Sequence, residues 1–384
     1  MQLPLRKRVD VAIIGGGITG CAAAWYLAQD GVSVALLEAG ELNAQASGSN
    51  AGSLHAQIPH DTFLELGDSW AASFAPTLRL LRTSIDLWRA ADAAFDGALD
   101  VRVNGGLMLA STSEEIRAIE RKARFERDAG TSVDIMDLSS LTAMAPYLST
   151  KLIGAGYCAV EGKANPLVAA PTFAREAEVA GAQILRRQPV LAMQSMKTGY
   201  QLRTEDAVIE AHRVIIAAGA GTSSVAAFLG IAKLPIQSMP IQVSVTEPVA
   251  PLIGQLLYYA RAPLTMKQTS AGTILIGGGW PARLDSHHRP IPDPHSLAQN
   301  LGLALEVVPQ LANITLMRTW AAMVNGTDDW KPIIGELPGK PGVFLSYVPW
   351  MGFTGGPAAA RIVASQVQGR VAELNLAVDS FAPR

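Results

Sequence analysis

Cysteine is scarce. Cys21 and Cys158 are the only two in 384 residues, too few for a disulfide framework. No Cys/His spacing suits a metal ion, so no metal site is expected. Charge is scarce as well. Charged residues make up 17% of the chain and the net charge is −2, which leaves no footprint for nucleic acid or an anionic membrane. Long apolar runs are missing. Val9–Ile14 falls far short of the roughly 20 residues a membrane span needs. The basic lead MQLPLRKR is not followed by a signal-type apolar region, so a cytoplasmic protein is expected. No Ser/His/Asp signature, internal repeat or low-complexity segment stands out. What is abundant is core material: 49% hydrophobic residues over this length suggest two domains or an interleaved pair.

The most informative stretch is Val9–Glu38. Val9, Val11, Ile13 and Ile14 read as a buried strand. Gly15, Gly17 and Gly20 follow at G-x-G-x-x-G spacing, then a helical segment Ile18–Gln29 stopped by Gly31. Val32–Leu37 reads as a second strand ending in Glu38. The complete strand–turn–helix–strand–acid unit points to a dinucleotide site. Gly15 allows the tight turn, Gly17 lets a pyrophosphate approach, and Gly20 lets helix and strand pack closely. The helix N-terminus offers N–H groups and a positive dipole end to phosphate. Glu38 suits ribose hydroxyls and disfavours a 2′-phosphate.

Further along, Ala39–Gly52 is small and polar and reads as a loop. Asp61–Phe95 is helical in period. Thr112 and Glu115 form a capping-box start for a helix Ser113–Ala129, whose heavy charge reads as a solvated face. Strands are expected near Gln183–Arg186, Val190–Ser195, Tyr200–Thr204 and Val214–Ala217. From Leu234 to Trp320 the pattern is β-rich, with one helix at Ser296–Val308 and a polar loop Pro281–Pro294. Val343–Tyr347 is a final strand, PWMGFTGGP (Pro349–Pro357) a loop, and Pro357–Gln368 a helix with proline in its first turn. The order predicts an α/β chain: a Rossmann-like nucleotide-binding domain with an inserted α+β substrate domain on an antiparallel sheet. Residues 1–85, 150–225 and 326–384 are assigned to the first, and 86–149 and 226–325 to the second.

Several motifs in this order resemble the flavin-dependent amine oxidoreductases of the D-amino acid oxidase, glycine oxidase and sarcosine oxidase type. They are GGGITG with Glu38, the loop Ala46–Gly52, GKANP at Gly162–Pro166, VIIAAG at Val214–Gly219, Arg318–Gly335, and Gly352-Phe353-Thr354 before the last helix. The resemblance spans nearly the whole chain and implies FAD, making the nucleotide unit a Rossmann-like FAD-binding domain. By position it implies Gly15, Gly17 and Gly20 at the pyrophosphate and Glu38 at the adenosine ribose. Ser47, Asn50, Ala51 and Gly52 would follow the path to the flavin, and Val190 would meet the adenine. Ala218 and Gly219 would pack beside the dinucleotide. Gly352, Phe353 and Thr354 would meet the isoalloxazine, where backbone N–H groups stabilise charge arriving on the ring.

Two departures matter. The family often has Arg at Ser49, and its carboxylate-binding arginine falls here at Val324, with Ala322 for the preceding glycine. The replacement candidates are Arg261, Lys267, His287, His288, Arg318 and Lys331. Of these Lys267 and Arg318 are assigned to substrate, with Trp350 and Met351 as walls beside Trp280 and Trp330. His55, a few residues after Gly52, is the candidate to position substrate or deprotonate its amine.

The implied reaction is oxidation of a C–N bond in an amino acid, N-substituted amino acid or opine. Hydride passes to flavin N5 and the imine is hydrolysed. The partners implied are a small amine or amino acid substrate and, by likeness to β subunits of opine oxidase, hydroxyproline dehydrogenase and hydrogen cyanide synthase, other subunits of a dye-linked dehydrogenase. A stand-alone glycine, sarcosine or D-amino acid oxidase releasing hydrogen peroxide is the alternative. A non-catalytic FAD-binding scaffold subunit is a third reading. An NAD-dependent dehydrogenase would need a second GxGxxG or a nicotinamide domain, and neither is present.

Overall fold

The computed structural model describes residues 5–383; the start of the basic lead, Met1–Pro4, and Arg384 lie outside the described residues. Two large sheets dominate. The first runs, edge to edge, Ile333–Glu336, Val343–Tyr347, Ala207–Ile216, Leu5–Ile14, Val34–Leu37, Gln183–Leu185. We label Leu5–Ile14 β1, Ile18–Gln29 α1 and Val34–Leu37 β2. All of these neighbours pair in parallel except the antiparallel edge strand Ile333–Glu336. A hairpin, Ala192–Ser195 and Tyr200–Arg203, adds antiparallel to Ala207–Ile216.

The β1 side chains alternate between two cores. Val11 and Ile13 pack with α1 and the final helix, while Ala12 and Ile14 pack on the other face. A strand buried on both faces needs this unbroken apolar run, which is why the sequence signal is so plain.

The second sheet runs Leu316–Gly326, Gln237–Thr246, Ile274–Gly277, Thr265–Gln268, Leu256–Tyr259, Gly106–Ala110, Gly154–Cys158, Asp134–Asp137. It is antiparallel with one exception: Leu256–Tyr259 lies parallel to Gly106–Ala110. Those two strands come from separate stretches of chain, so no hairpin forces them to oppose. Gly154–Cys158 sits in this second sheet, although the sequence pattern assigns the segment 150–225 to the nucleotide unit. A two-stranded ribbon, Ser53–Leu54 with Gly162–Lys163, clamps the two motif loops together.

Four expectations need correction. The Ala39–Gly52 loop contains a helical turn, Ala46–Ser49. Asp61–Phe95 is two helices, His60–Ser73 and Ala75–Ala94, the first broken at Gly67 with φ 74°. The loop Pro281–Pro294 holds a small hairpin, Arg283–Leu284 with Pro290–Ile291. The final helix begins at Gly352, not Pro357, and runs to Val367 with Pro357 inside it.

That last case has a local explanation. An interior proline removes the N–H that would bond the carbonyl four residues back. The orphaned carbonyl is Phe353 O, and the Trp88 indole N–H reaches it at 3.2 Å while also meeting Thr354 O at 3.1 Å. The helix therefore starts early because a buried tryptophan from another helix satisfies it.

The charged helix Ser113–Asp128 differs too. Its capping box forms as expected, but Lys122 and Glu126 are fully buried and ion-paired.

The β1–α1 turn packs backbone directly against backbone. Gly15 has φ +115°, and a Cβ there would overlap the Ala217 carbonyl; a Cβ on Gly20 would overlap the Gly15 carbonyl oxygen. G20A is expected to cost about 1–3 kcal/mol through forced separation of β1 and α1, read as a lowered urea midpoint. A midpoint equal to wild type contradicts this packing.

Candidate active site

A single cavity of about 970 Å³ joins the two sheets. One end lies at the carboxyl ends of the parallel strands, where the strand order reverses about β1. That crevice is where open α/β sheets bind ligands. Gly15, Gly17, Glu38, Ser47, Asn50, Ala51, Val190, Ala218 and Gly219 all line it. Glu38 is held at the turn, accepting from Gly16 N at 2.6 Å and Gly40 N at 2.7 Å. Gly17 caps α1 without a side chain, and Ser47 Oγ accepts from Ile18 N at 3.0 Å.

Gly20 and Gly52 do not line the cavity. They shape it from behind: Gly20 by its contact with Gly15, Gly52 by packing against Ala164 O at φ +78°.

The other end reaches Gly352, Phe353, Thr354, Met351 and Trp350, all lining residues. Trp350 stacks on Trp330 at 4.9 Å between ring centroids. Both tryptophans have positive φ, 55° and 64°, a rare setting for bulky residues. Trp280 is not a wall; its indole N–H donates to Pro263 O at 2.7 Å.

His55 is seated where the two sheets meet. Its backbone N–H donates to Thr354 Oγ1 at 3.0 Å, and its Nδ1 lies 2.7 Å from the Tyr258 hydroxyl. Burial, reinforced by the charge of Lys267, pushes its imidazole down to about 3. A ring this reluctant to charge serves as a neutral hydrogen-bond partner.

The proposed cations are not brought in. Arg318 is exposed at the far end of Leu316–Gly326, six residues or about 20 Å along the strand from Val324. Arg261 pairs with Glu306 at 2.6 Å. His287 and His288 lie exposed on the small hairpin, and Lys331 does not line the cavity. Lys267 is buried behind the wall, donating to Ser53 Oγ. No arginine or lysine among the described residues lines the cavity.

Other lining residues are not singled out by the sequence motifs. Asn43 Oδ1, Asn325 Oδ1, Ser346 Oγ and both ring nitrogens of His60 are buried without a partner, and all four residues line the cavity. Unpaired buried polar atoms are costly, so their placement along one cavity fits a polar ligand that pairs them. Together with the side-chain-free turn at Gly15–Gly17 and the carboxylate of Glu38, this lining fits FAD. Only tertiary placement reveals these atoms; Tyr258 and Glu161 carry no motif signal either.

A profile described as FAD dependent oxidoreductase matches residues 10–366. The chain belongs to the FAD-dependent oxidoreductase family. Relatives in this family include an opine oxidase subunit of Rhizobium meliloti, 26% identical over 97% of this chain and 96% of the relative. Glycine oxidase of Geobacillus kaustophilus (strain HTA426) is 28% identical over 97% and 96%. Among solved structures, L-proline dehydrogenase from P. horikoshii superposes with a TM-score of 0.87 at 22% identity, covering 99% of this chain and 98% of that one. The shared fold extends over the second sheet as well as the first. Among the described residues no helix is long and apolar enough to cross a membrane.

Lys267 gives a pH test of this site. Burial and the charge of Lys163 lower its amine from the ordinary 10.5 to about 7. Above pH 7 the folded chain binds fewer protons there than the unfolded chain. Stability therefore rises with pH from about 7 to about 10, by up to about 1.4 kcal/mol per unit. Urea midpoints of wild type should climb from about pH 7 to about pH 9, and those of K267M should climb less. Equal slopes contradict a depressed Lys267.

Proposed function

We propose that this chain oxidises the C–N bond of a small secondary amine, such as an N-substituted amino acid or opine, as the catalytic subunit of a dehydrogenase. Its cofactor unit is built around the first sheet and its substrate unit around the second, which takes in Gly154–Cys158. FAD, when bound, supplies the two-electron acceptor for the carbon-bound hydrogen.

The observation that carries this reading is a neutral polar junction, His55 with Tyr258, facing a cavity wall without a cation. Thr354 ties His55 to the start of the final helix, and Tyr258 ties it to the second sheet. An amine N–H can be held there by an imidazole that stays uncharged. The stacked Trp330 and Trp350 and the buried Met351 add apolar lining to the same cavity. Low dielectric favours the neutral amine, the form with an available lone pair.

Val324 stands where a guanidinium would clamp a carboxylate. A charge-assisted hydrogen bond to such a group is worth about 1.5–3 kcal/mol. Without one, the substrate carboxylate contributes little to recognition. The reading as part of a complex draws support from relatives that are themselves named as subunits, of opine oxidase and of sarcosine oxidase. The likeness to glycine oxidase favours the stand-alone oxidase as second reading.

The test is anaerobic bleaching of the flavin by N-methyl amino acids, opines and their methyl esters. Esters are expected to lose less than about 10-fold in kcat/KM, since no clamp is removed. Loss of more than about 100-fold contradicts the reading, and failure of every amine to bleach the flavin favours a scaffold subunit. Electrons should reach an artificial dye faster than oxygen; peroxide formed at the dye rate selects the stand-alone oxidase.

A further inference from the structure

Behind His55 runs a chain of buried polar groups that the reaction as described does not use. Tyr258 OH lies 3.0 Å from Glu161 Oε1. Gln57 Nε2 donates to Glu161 Oε2 at 2.8 Å, and Gln57 Oε1 accepts from Lys122 Nζ at 3.2 Å. Lys122 also pairs with Glu126, whose Oε1 accepts from Ile58 N at 2.8 Å. Lys122, Glu126 and Glu161 are fully buried and Gln57 nearly so.

Burial raises the Glu161 carboxyl while the donors around it and the charge of Lys122 lower it; with that carboxyl ionised, the direction of every hydrogen bond in this chain follows. An ammonium can only donate, so Lys122 fixes the Gln57 oxygen toward itself and the amide N–H toward Glu161. Glu161 also accepts from Ala56 N at 2.7 Å and Gln57 N at 3.0 Å. Backbone N–H groups can only donate. The carboxyl is thus surrounded by donors, and Tyr258 must donate to it as well. The Tyr258 oxygen is then left to accept from His55, so the proton sits on Nδ1. The other ring nitrogen, Nε2, has no partner among the described residues and is not enclosed, unlike both nitrogens of His60. His55 lines the cavity, so the bare Nε2 lone pair faces it.

We infer that Glu161 and Tyr258 are positioning residues that lock His55 in its Nδ1–H tautomer, making Nε2 an obligate acceptor for the N–H of the substrate amine. This rests on the cavity being an amine site. The alternative tautomer would present an N–H to the amine nitrogen and occupy the lone pair that must drive oxidation. The remaining groups facing His55 are the Thr354 hydroxyl, engaged with its backbone, and Lys267, held behind Ser53. Neither reverses the order set by Glu161.

The lock is read directly from ring ¹⁵N shifts of histidine-labelled holoenzyme, assigned with H55Q and recorded without substrate. Wild type is expected to show a protonated Nδ1 and a bare Nε2 at His55. In Y258F the ring loses its acceptor and should populate both tautomers. That variant should drop kcat for the amine at least about 10-fold, with KM and flavin content within about 2-fold, since general acid–base and orienting groups act on the chemical step. E161Q, which cannot accept all four donors, should move both readouts the same way; it serves if Y258F fails to hold flavin. A protonated Nε2 in wild type, or an unchanged tautomer in both variants, overturns the inference. The tautomer is read without turnover, so its failure is distinct from failure of the amine reading, which shows as a flavin no amine bleaches.

Discussion

The structure depends on a close backbone approach at the β1–α1 turn. Gly15 packs against the carbonyl of Ala217, and Gly20 against the carbonyl of Gly15. Because no side chain intervenes, three things meet within one turn: the start of α1, the end of β1 and the end of Ala207–Ile216. That meeting leaves an open trough beside the start of α1 and a carboxylate, Glu38, already aimed by Gly16 and Gly40. Such a trough suits a dinucleotide held by main chain and helix dipole, without a cation. The rest of the cavity extends this trough toward the second sheet.

The cofactor end and the reacting end are joined by few contacts. The Ser53–Leu54 ribbon with Gly162–Lys163 holds the loop after Gly52 in place. Thr354 accepts from His55 N and donates to Ser53 O at 3.1 Å, so one hydroxyl ties the final helix to that loop. Trp88 supplies the donor that lets the final helix start at Gly352 despite Pro357. Displacing any of these moves the cavity wall formed by the start of the final helix.

Much of the fold is legible in the sequence because its strands are buried on both faces and its turns demand glycine. Val9–Ile14 and Gly15–Gly20 carry their structure locally. What is not legible depends on distant partners. The charge on Ser113–Asp128 reads as solvated, yet Lys122 and Glu126 are buried, where Gln57 reaches Lys122 and the Ile58 N–H reaches one Glu126 oxygen from elsewhere in the chain. Pro357 reads as a helix start because nothing local announces Trp88. Arg318 is a plausible substrate ligand by motif alone, but strand geometry carries it far from Val324. Glu161 sits directly before GKANP, but its role depends on a tyrosine about a hundred residues away. The nucleotide end can be named from spacing; the reacting end requires the two sheets to be seen together.

The central claim is that the trough recognises the adenylate half of a flavin dinucleotide through α1 and Glu38. Titration of the deflavinated protein with FAD and with FMN tests this most directly. FMN lacks the adenylate, so FAD should bind at least about 100-fold more tightly, equivalent to about 2.7 kcal/mol of recognition at the trough. Equal affinity for the two, or no binding of FAD, would contradict the account.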